Sequence, residues 1–210
     1  GTTTAGLYSS GYAGSSNLAA TEEFTAAGAA DTIKNEGQVY YNSTAGTMNV
    51  TALVYGTGAW ASGANINSGR SEFGGGAGTQ SAFLIFGGSA APLSQLTELY
   101  DGSSWTEVAD LNSDHYYGAG FGTHGTTEAT IAAGGGQGDP ATNLVELWNG
   151  TGWSEVAELN TARAEDPGGA GTATSALVFG GNAPVINSNE SWDGSSWTEI
   201  ANLNTARKSL

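Results

Sequence analysis

The sequence contains no cysteine, which excludes disulfides and thiolate metal sites. Lysine and arginine together number 5 of 210 residues against 20 aspartates and glutamates, giving a formal net charge of −15. Nucleic acids and anionic lipid headgroups are bound largely through Lys and Arg. We therefore expect no nucleic-acid partner. No apolar run approaches the length of a membrane span, so we also expect no membrane insertion.

Proline is also scarce, at 4 residues, and charged residues make up only 12% of the chain. Glycine, in contrast, is abundant at 34 residues, without the strict period of collagen. The length suits one domain with a sizeable core. The chain begins at Gly1 without a visible signal peptide, so we expect a processed chain or part of a longer polypeptide.

A tryptophan recurs every 44 to 48 residues and is followed ten residues later by a fixed position that holds arginine in three cases of four. This period is typical of β-propeller blades rather than of helical solenoids. The pairs are Trp60/Arg70, Trp105/His115, Trp153/Arg163 and Trp197/Arg207.

Each repeat contains four short strand candidates separated by turn residues. A glycine-rich stretch such as "RSEFGGGAGT" comes first, and an apolar run ending in two glycines, such as "AFLIFGG", follows it. The apolar run predicts a strand buried on both faces. The last two strands are joined by Asp-Gly or Asn-Gly turns at Asp101, Asn149 and Asp193, which favour tight hairpins. The sequence therefore predicts blades of four antiparallel strands.

Two further positions recur in the third strand of every repeat. An aromatic residue stands five positions before each repeat tryptophan, and we expect this pair to pack across strands and between blades. A glutamate stands two positions before that aromatic residue, and it forms either a repeated ion pair with the arginine position or a solvated strand face. The aromatic residues are Tyr100, Trp148 and Trp192, and the glutamates are Glu98, Glu146 and Glu190.

The double glycine after an apolar strand, the aromatic residue about a dozen positions on and the following tryptophan together resemble the kelch repeat. The resemblance covers roughly residues 55–207 well and residues 1–25 in part. The kelch repeat also builds the central domain of galactose oxidase, whose copper site needs a Cys-Tyr crosslink. This chain has no cysteine and only His115 and His124, so we expect that activity to be absent.

More narrowly, the phrases "TELYDGSSWTEVADLN", "LNTAR" and "EGQVYYNSTAGT" look like glycine-rich, kelch-like arrays of phage structural proteins, particularly of marine and cyanobacterial phages. The segment "GQVYYNST" is similar to a motif that precedes repeats in tail-fibre proteins. The resemblance implies a protein that decorates virions or contacts hosts, located on the virion or outside the cell.

The chain divides into a partial blade, an insert and three full repeats. Residues 1–25 supply strands two and three of a blade, residues 26–59 form an insert with a hairpin around 43–46, and residues 60–210 run from a fourth strand at Trp60 through three full repeats to the start of a first strand. We expect an all-β, kelch-like propeller of about four blades, one of them composite from the two termini. The alternatives are continuation in a longer chain or pairing with a neighbouring subunit.

No catalytic or metal-binding constellation stands out, so we predict no catalytic residue, no metal ligand and no cofactor. Function is best sought where the repeats differ, just after the arginine position, at a rim of the propeller channel. We predict rim contacts there by His115, Tyr116, Tyr117, Glu165 and Asp166.

The sequence thus favours a non-enzymatic virion module of tail-fibre type, with other virion or filament subunits and cell-surface glycans as partners. A secreted bacterial carbohydrate-binding or adhesion propeller is the main alternative, and a glycan-processing hydrolase is the third.

Overall fold

The computed structural model describes residues 5–13, 16–25, 39–42, 47–50, 59–72, 74–88, 95–122, 129–136, 141–182 and 184–209, and every regular element in these ranges is a β-strand. None of these residues belongs to a helix able to cross a membrane. The strands are β1 (Ala5–Ala13), β2 (Ser16–Thr25), β3 (Val39–Asn42), β4 (Thr47–Val50), β5 (Ala59–Ser62), β6 (Gly75–Thr79), β7 (Ala82–Phe86), β8 (Thr97–Tyr100), β9 (Trp105–Glu107), β10 (Ala119–Gly122), β11 (Thr130–Gly135), β12 (Thr142–Trp148), β13 (Trp153–Glu155), β14 (Gly168–Thr172), β15 (Ser175–Phe179), β16 (Asn189–Trp192) and β17 (Trp197–Ile200).

Three four-stranded antiparallel sheets form the regular part of the fold. They are blade A (β6–β9), blade B (β10–β13) and blade C (β14–β17), and in each of them the strands pair in sequence order. Each sheet corresponds to one sequence repeat. The chain therefore has the blade-based β-propeller fold that the sequence predicts.

The tight turn before each repeat tryptophan sets the register of the outer two strands. In blade A, Asp101 Oδ1 accepts hydrogen bonds of 2.8 Å from the backbone N–H groups of Ser103 and Ser104, and Gly102 has a φ of 96° that favours glycine. This turn places Tyr100 directly opposite Trp105, with ring centroids 4.9 Å apart. The predicted cross-strand aromatic pair is confirmed.

Large apolar side chains fill the space between consecutive blades. Phe86 of blade A meets Trp153 of blade B edge to face, with ring centroids 4.8 Å apart. Trp153 also donates a 3.0 Å hydrogen bond from Nε1 to Oγ1 of Thr97 in blade A. Aromatic burial of this kind is the main apolar contribution to blade packing. The core between blades B and C comprises Ala119, Phe121, Ile131, Ala133, Val145, Leu159, Ala176, Val178, Trp192 and Trp197.

The first strands of neighbouring blades approach each other through glycine. A Cβ atom built on Gly75 of β6 would lie 2.3 Å from the Cα atom of Gly120 in β10. Real Cβ atoms do not tolerate such a distance, so only glycine permits this backbone contact. The glycine-rich first strand is thus a packing requirement of the blade array.

The second strands differ in burial from blade to blade. All six residues of β11 are buried, as the sequence predicts. In β15, however, Ser175 and Leu177 are exposed, and Leu177 is 38% accessible. The prediction of burial on both faces is therefore wrong for blade C, because no described sheet covers that face.

The N-terminal sheet contains three strands in the order β1-β2-β5. Phe24 lies opposite Trp60 and Glu22 lies opposite Ser62, which repeats the register of the outer strands of the blades. Among the described residues, Lys208 and Ser209 form no ladder with β1. The composite blade through both termini therefore stays a prediction.

The predicted insert contributes a two-stranded antiparallel sheet. β3 pairs with β4, so that Val39 faces Val50 and Asn42 faces Thr47 on either side of residues 43–46. This is the strand pair that the sequence alternation predicts. The remaining insert residues 26–38, 43–46 and 51–58 lie outside the described residues.

Candidate functional site

The recurrent glutamates of the third strands are buried, and their carboxylates accept several hydrogen bonds. In blade C, Glu190 Oε1 accepts a hydrogen bond of 2.7 Å from Nη2 of Arg163 and one of 3.2 Å from the Thr161 backbone N–H. Its Oε2 accepts from the backbone N–H and Nδ2 of Asn160 at 2.7 and 2.9 Å. The three glutamates are at most 1% exposed. The ion-pair interpretation is therefore confirmed for Glu98 with Arg70 and for Glu190 with Arg163, whereas Arg207 is exposed. The solvated-face interpretation is wrong for the three glutamates.

Each buried guanidinium also joins two strands of its blade. Nη1 of Arg163 donates to the carbonyls of Gly180 and Ser188 at 2.9 and 3.0 Å, and Arg70 makes the corresponding bonds in blade A. Burial acts to lower the pKa of Arg70, while its ion pair with Glu98 opposes that change. An arginine remains charged under these conditions because its intrinsic pKa is so high. These side chains serve the architecture of the blade.

In blade B a histidine replaces the arginine. His115 Nδ1 lies 2.7 Å from the Gly134 carbonyl, and Nε2 lies 3.5 Å from Glu146 Oε1, a longer contact than a good hydrogen bond. The Glu146 carboxylate accepts bonds of 2.8–2.9 Å from Asn112 and Ser113. Burial acts to raise the pKa of Glu146, but His115 and these hydrogen bonds hold it below its usual value.

His115 differs from its predicted role. The sequence places it at the rim because it breaks the arginine pattern, yet its side chain is 0% exposed. A fully buried imidazole cannot touch an external partner. Its position is that of a structural pairing group for Glu146, and the predicted rim contact by His115 is corrected accordingly.

The residues that follow the arginine position form a continuous rim, made of residues 71–72, 116–118, 164–166 and 208–209. The residue two positions after each Arg or His adopts a left-handed conformation, with φ between 51° and 56°. Backbone hydrogen bonds connect successive blades there: Tyr117 N–H donates to Glu72 O, Asp166 N–H to Tyr117 O, and Ser209 N–H to Glu165 O, at 3.0–3.2 Å. The structure thus places the blade-variable residues side by side.

Four of the five predicted contact residues lie at this rim. The rings of Tyr116 and Tyr117 are 6.3 Å apart and inclined by 56°, and both residues are half-buried. Burial raises the pKa of Asp166, with a further contribution from Glu72 and Glu165. Glu165 pairs with Lys208, which lowers the pKa of Glu165. The rim therefore combines two aromatic faces with one partly shielded acid.

A groove runs along the first strands below the rim. A cavity of about 410 Å³ opens there, and only Asp166 and Ser209 among its lining residues bring polar side chains. In the described ranges, no group of three or more His, Asp or Glu side chains could hold a metal ion.

Sequence reasoning missed two features of the rim. It did not identify Lys208 as the partner of Glu165, because these residues belong to different repeats and their proximity depends on blade stacking. It also missed the repeated left-handed residue, which is Glu72, Tyr117, Glu165 and Ser209 in turn. No residue type is shared by all four positions, so only the fixed offset from the arginine position could have signalled it.

Comparison with known proteins identifies the architecture only. No protein-family model and no curated protein matches the sequence. The solved structure of YjhT is similar, with a TM-score of 0.50 at 13% sequence identity, over 78% of this chain and 51% of YjhT. The chain thus spans about half the length of YjhT. At this identity the similarity shows a shared fold and leaves the function to the residues of the site.

Proposed function

We propose that this chain is a non-enzymatic, kelch-like structural and binding module of a virion appendage of tail-fibre type. The phage-like phrases support the location. The observation that carries the non-enzymatic role is the enclosure of Glu98, Glu146 and Glu190, the buried acids that recur in all three blades, by arginine or histidine and backbone N–H groups. Carboxylates held in this way stabilise the scaffold and are not accessible to a substrate.

The binding part of the proposal rests on the rim. Scaffold positions are nearly the same in each blade, whereas the rim differs from blade to blade, and this variation favours a surface that contacts partners. Tyr116 and Tyr117 offer rigid apolar faces with hydroxyl groups, which suit contact with sugars or with other protein chains.

The location is tested on virions produced by the genome that encodes this chain. Antibodies raised against the purified chain should label an appendage in immunogold micrographs, and mass spectrometry should find the chain in purified particles. Virions that carry no copy of the chain would contradict the virion assignment.

The same rim supports the second candidate function, a secreted carbohydrate-binding or adhesion propeller. Here the observation in favour is again the tyrosine pair above the 410 Å³ groove. In this case the chain should bind cells or glycans without any association with virions, which separates the two candidates.

Binding at the rim is tested with a glycan array and whole cells. Tyr116→Ala and Tyr117→Ala should weaken binding, while Tyr116→Phe and Tyr117→Phe should retain most of it because the ring faces remain. The same samples are assayed for released sugar. Turnover that disappears in Asp166→Asn would replace the non-enzymatic proposal with the glycan-processing hydrolase.

A further inference from the structure

The turn between β12 and β13 contains the only asparagine of the chain that is followed directly by glycine, Asn149 before Gly150. In blades A and C the equivalent position holds aspartate, Asp101 and Asp193, and a glycine follows each of them. All three of these turn residues are exposed. Blade B therefore carries the amide of a residue that is an acid in the other two blades.

Three hydrogen-bond donors converge on the amide oxygen of this asparagine. Asn149 Oδ1 accepts bonds of 3.0 and 2.9 Å from the backbone N–H and Oγ1 of Thr151, and one of 3.1 Å from the backbone N–H of Gly152. In blade A, Asp101 Oδ1 accepts the equivalent three bonds at 2.8 Å each, two of them from Ser103. The donors around Asn149 thus match the set that surrounds a carboxylate oxygen in blade A.

Two nitrogen atoms at this turn are available for reaction. Neither the backbone nitrogen of Gly150 nor Nδ2 of Asn149 donates a hydrogen bond to any described residue. Attack of the Gly150 nitrogen on Cγ of Asn149 closes a cyclic imide and releases Nδ2 as ammonia. Because glycine has no Cβ atom, no side chain crowds the attacking nitrogen.

Other asparagines of the blades are less suited to this reaction. Nδ2 of Asn112, Asn143 and Asn160 donates in each case to a glutamate carboxylate, at 2.8–2.9 Å. The loss of ammonia at these positions would break that bond. None of the three is followed by glycine, so the next side chain hinders attack on Cγ. Their contacts therefore favour Asn149 as the reactive asparagine.

We propose that Asn149 is a self-modification site that deamidates to aspartate in the folded chain, with water as the second reactant. The Gly150 nitrogen gives its proton to water and bonds to Cγ, while the electron pair of the Cγ–Oδ1 double bond moves to Oδ1. The three donors stabilise this oxyanion, because they already lie 2.9–3.1 Å from the atom on which the charge develops. The double bond then reforms, the Cγ–Nδ2 bond breaks, and Nδ2 takes a proton from solvent and leaves as ammonia.

Hydrolysis of the cyclic imide completes the reaction. Water adds to Cγ, the bond from Cγ to the Gly150 nitrogen breaks, and that nitrogen regains a proton. The products are an aspartate carboxylate and ammonium, so atoms and charge balance without an oxidant or a reductant. The change adds one negative charge to a chain whose formal net charge is −15.

The turn also favours aspartate over isoaspartate as the product. Donors to Oδ1 polarise the Cγ carbonyl of the imide, so water adds there and the original main chain is restored. Isoaspartate would instead insert a methylene group into the main chain of the turn. In blade A, hydrogen bonds from Ser104 and Ser103 lower the pKa of Asp101 to about 2, which shows how well this turn holds a carboxylate. Hydrogen bonds to an ionised acceptor are also stronger than those to an amide.

The test follows the peptide that contains Asn149 by mass spectrometry while the purified chain is incubated at neutral pH, either folded or in urea. Water enriched in heavy oxygen labels the carboxylates that form during the incubation. Asn149 should convert faster than Asn112, Asn143 and Asn160, and faster in the folded chain than in urea. Fragmentation that separates the two isomers should find mainly aspartate in the folded chain.

Two variants test the role of the hydroxyl donor. Thr151→Ala removes the bond from Oγ1 and should slow the conversion about fivefold in the folded chain, with no change in urea. Thr151→Ser is the matched control, since Ser103 and Ser195 make the equivalent bond at 2.8 Å in the other blades. It should keep the wild-type rate. Melting temperatures of both variants show that the compared chains are folded.

Three results would overturn the proposal. If Asn149 survives in the folded chain but converts in urea, the turn protects the amide. If the folded Thr151→Ala chain converts as fast as the wild type, the donors around Oδ1 do not promote the reaction. If isoaspartate is the main product of the folded chain, they do not direct the water. The reaction needs only the purified chain and water, so its outcome is independent of the tests of the proposed function.

Discussion

Nε2 of His115 lies 3.5 Å from Oε1 of Glu146, whereas Nη2 of Arg163 lies 2.7 Å from Oε1 of the equivalent Glu190. Both carboxylates are buried, so the hydrogen-bond geometry of the partner side chain matters more than it would on the surface. The shorter imidazole leaves Nε2 without a well-formed hydrogen bond. Blade B therefore has the longest of the three contacts between a side-chain nitrogen and the buried glutamate.

We predict that His115→Arg stabilises the chain by about 1–2 kcal/mol in the free energy of unfolding, measured by urea denaturation at pH 7. The arginine gains a charged hydrogen bond to Glu146 and keeps one to the Gly134 carbonyl. Arg163→His is the matched control and should lose a similar amount. A lower stability for His115→Arg would mean that blade B has no room for the longer side chain.

The sequence determines the aromatic framework of the blade better than its charged pairs. Tyr100 and Trp105 were predicted to pack across strands, directly or diagonally, and the structure places them directly opposite each other. The same pattern could not decide whether Glu190 is solvated or paired, because its burial depends on residues 159–163, which precede blade C and bind it. The exposure of Leu177 depends in turn on which sheet follows blade C, and no periodicity within one repeat contains that information.

The prediction of the rim residues has the same limit, since sequence position does not determine burial. Tyr116, Tyr117, Glu165 and Asp166 were grouped because they stand one to three positions after the arginine position, and this placement brings them together in the structure. Sequence position does not indicate burial. His115 was therefore included although it occupies the arginine position itself, where the side chain is buried in the blade.

The Asp-Gly turns predict an acid-sensitive contribution to stability. Hydrogen bonds from Ser104 and Ser103 lower the pKa of Asp101 to about 2, and those from Ser195 and Ser196 do the same for Asp193. A carboxylate with a lowered folded-state pKa stabilises the fold above its unfolded pKa of about 3.9, and this effect is lost as the pH falls towards 2. Between about pH 5 and about pH 2, the melting temperature of the double variant Asp101→Asn/Asp193→Asn should therefore fall less than that of the wild type.

Blade B offers the matched control for this prediction. Its turn has Asn149, whose Oδ1 accepts bonds of 3.0 and 3.1 Å from Thr151 and Gly152, so an amide supports the same turn. Asn149→Asp should add acid dependence. Unchanged pH profiles in both variants would show that these turns remain formed in the unfolded chain.

Trp197 has a buried indole N–H with no acceptor among the described residues, unlike Trp153, which donates to Thr97. The position equivalent to Thr97 in blade B is Val145, which packs in the same core as Trp197. We predict that Val145→Thr raises the free energy of unfolding by about 1 kcal/mol, because a threonine of nearly equal volume supplies the missing acceptor.

The reciprocal change is Thr97→Val, which should lower the free energy of unfolding by about 1–3 kcal/mol by leaving the Trp153 N–H unsatisfied. Thermal and chemical denaturation of both variants measure the effect, and Trp fluorescence reports on the indole environment. If Val145→Thr destabilises the chain as much as Thr97→Val does, the cost of burying a second hydroxyl exceeds the gain from the new bond.

Gly120 should be among the least tolerant positions of the chain. A Cβ atom there would lie 2.5 Å from the Cα atom of Gly75. Neighbouring strands hold the backbone of both glycines in place. Gly120→Ala should therefore destabilise the chain by about 3 kcal/mol or more, because β6 and β10 must move apart and disturb the packing of blades A and B.

Gly152→Ala is the matched control, since nothing lies within 4 Å of its added methyl group. That variant should stay within about 0.5 kcal/mol of the wild type. Equal stability of the two variants in urea denaturation would show that the first strands are free to separate, and that the contact between glycines does not hold the blades at their observed spacing.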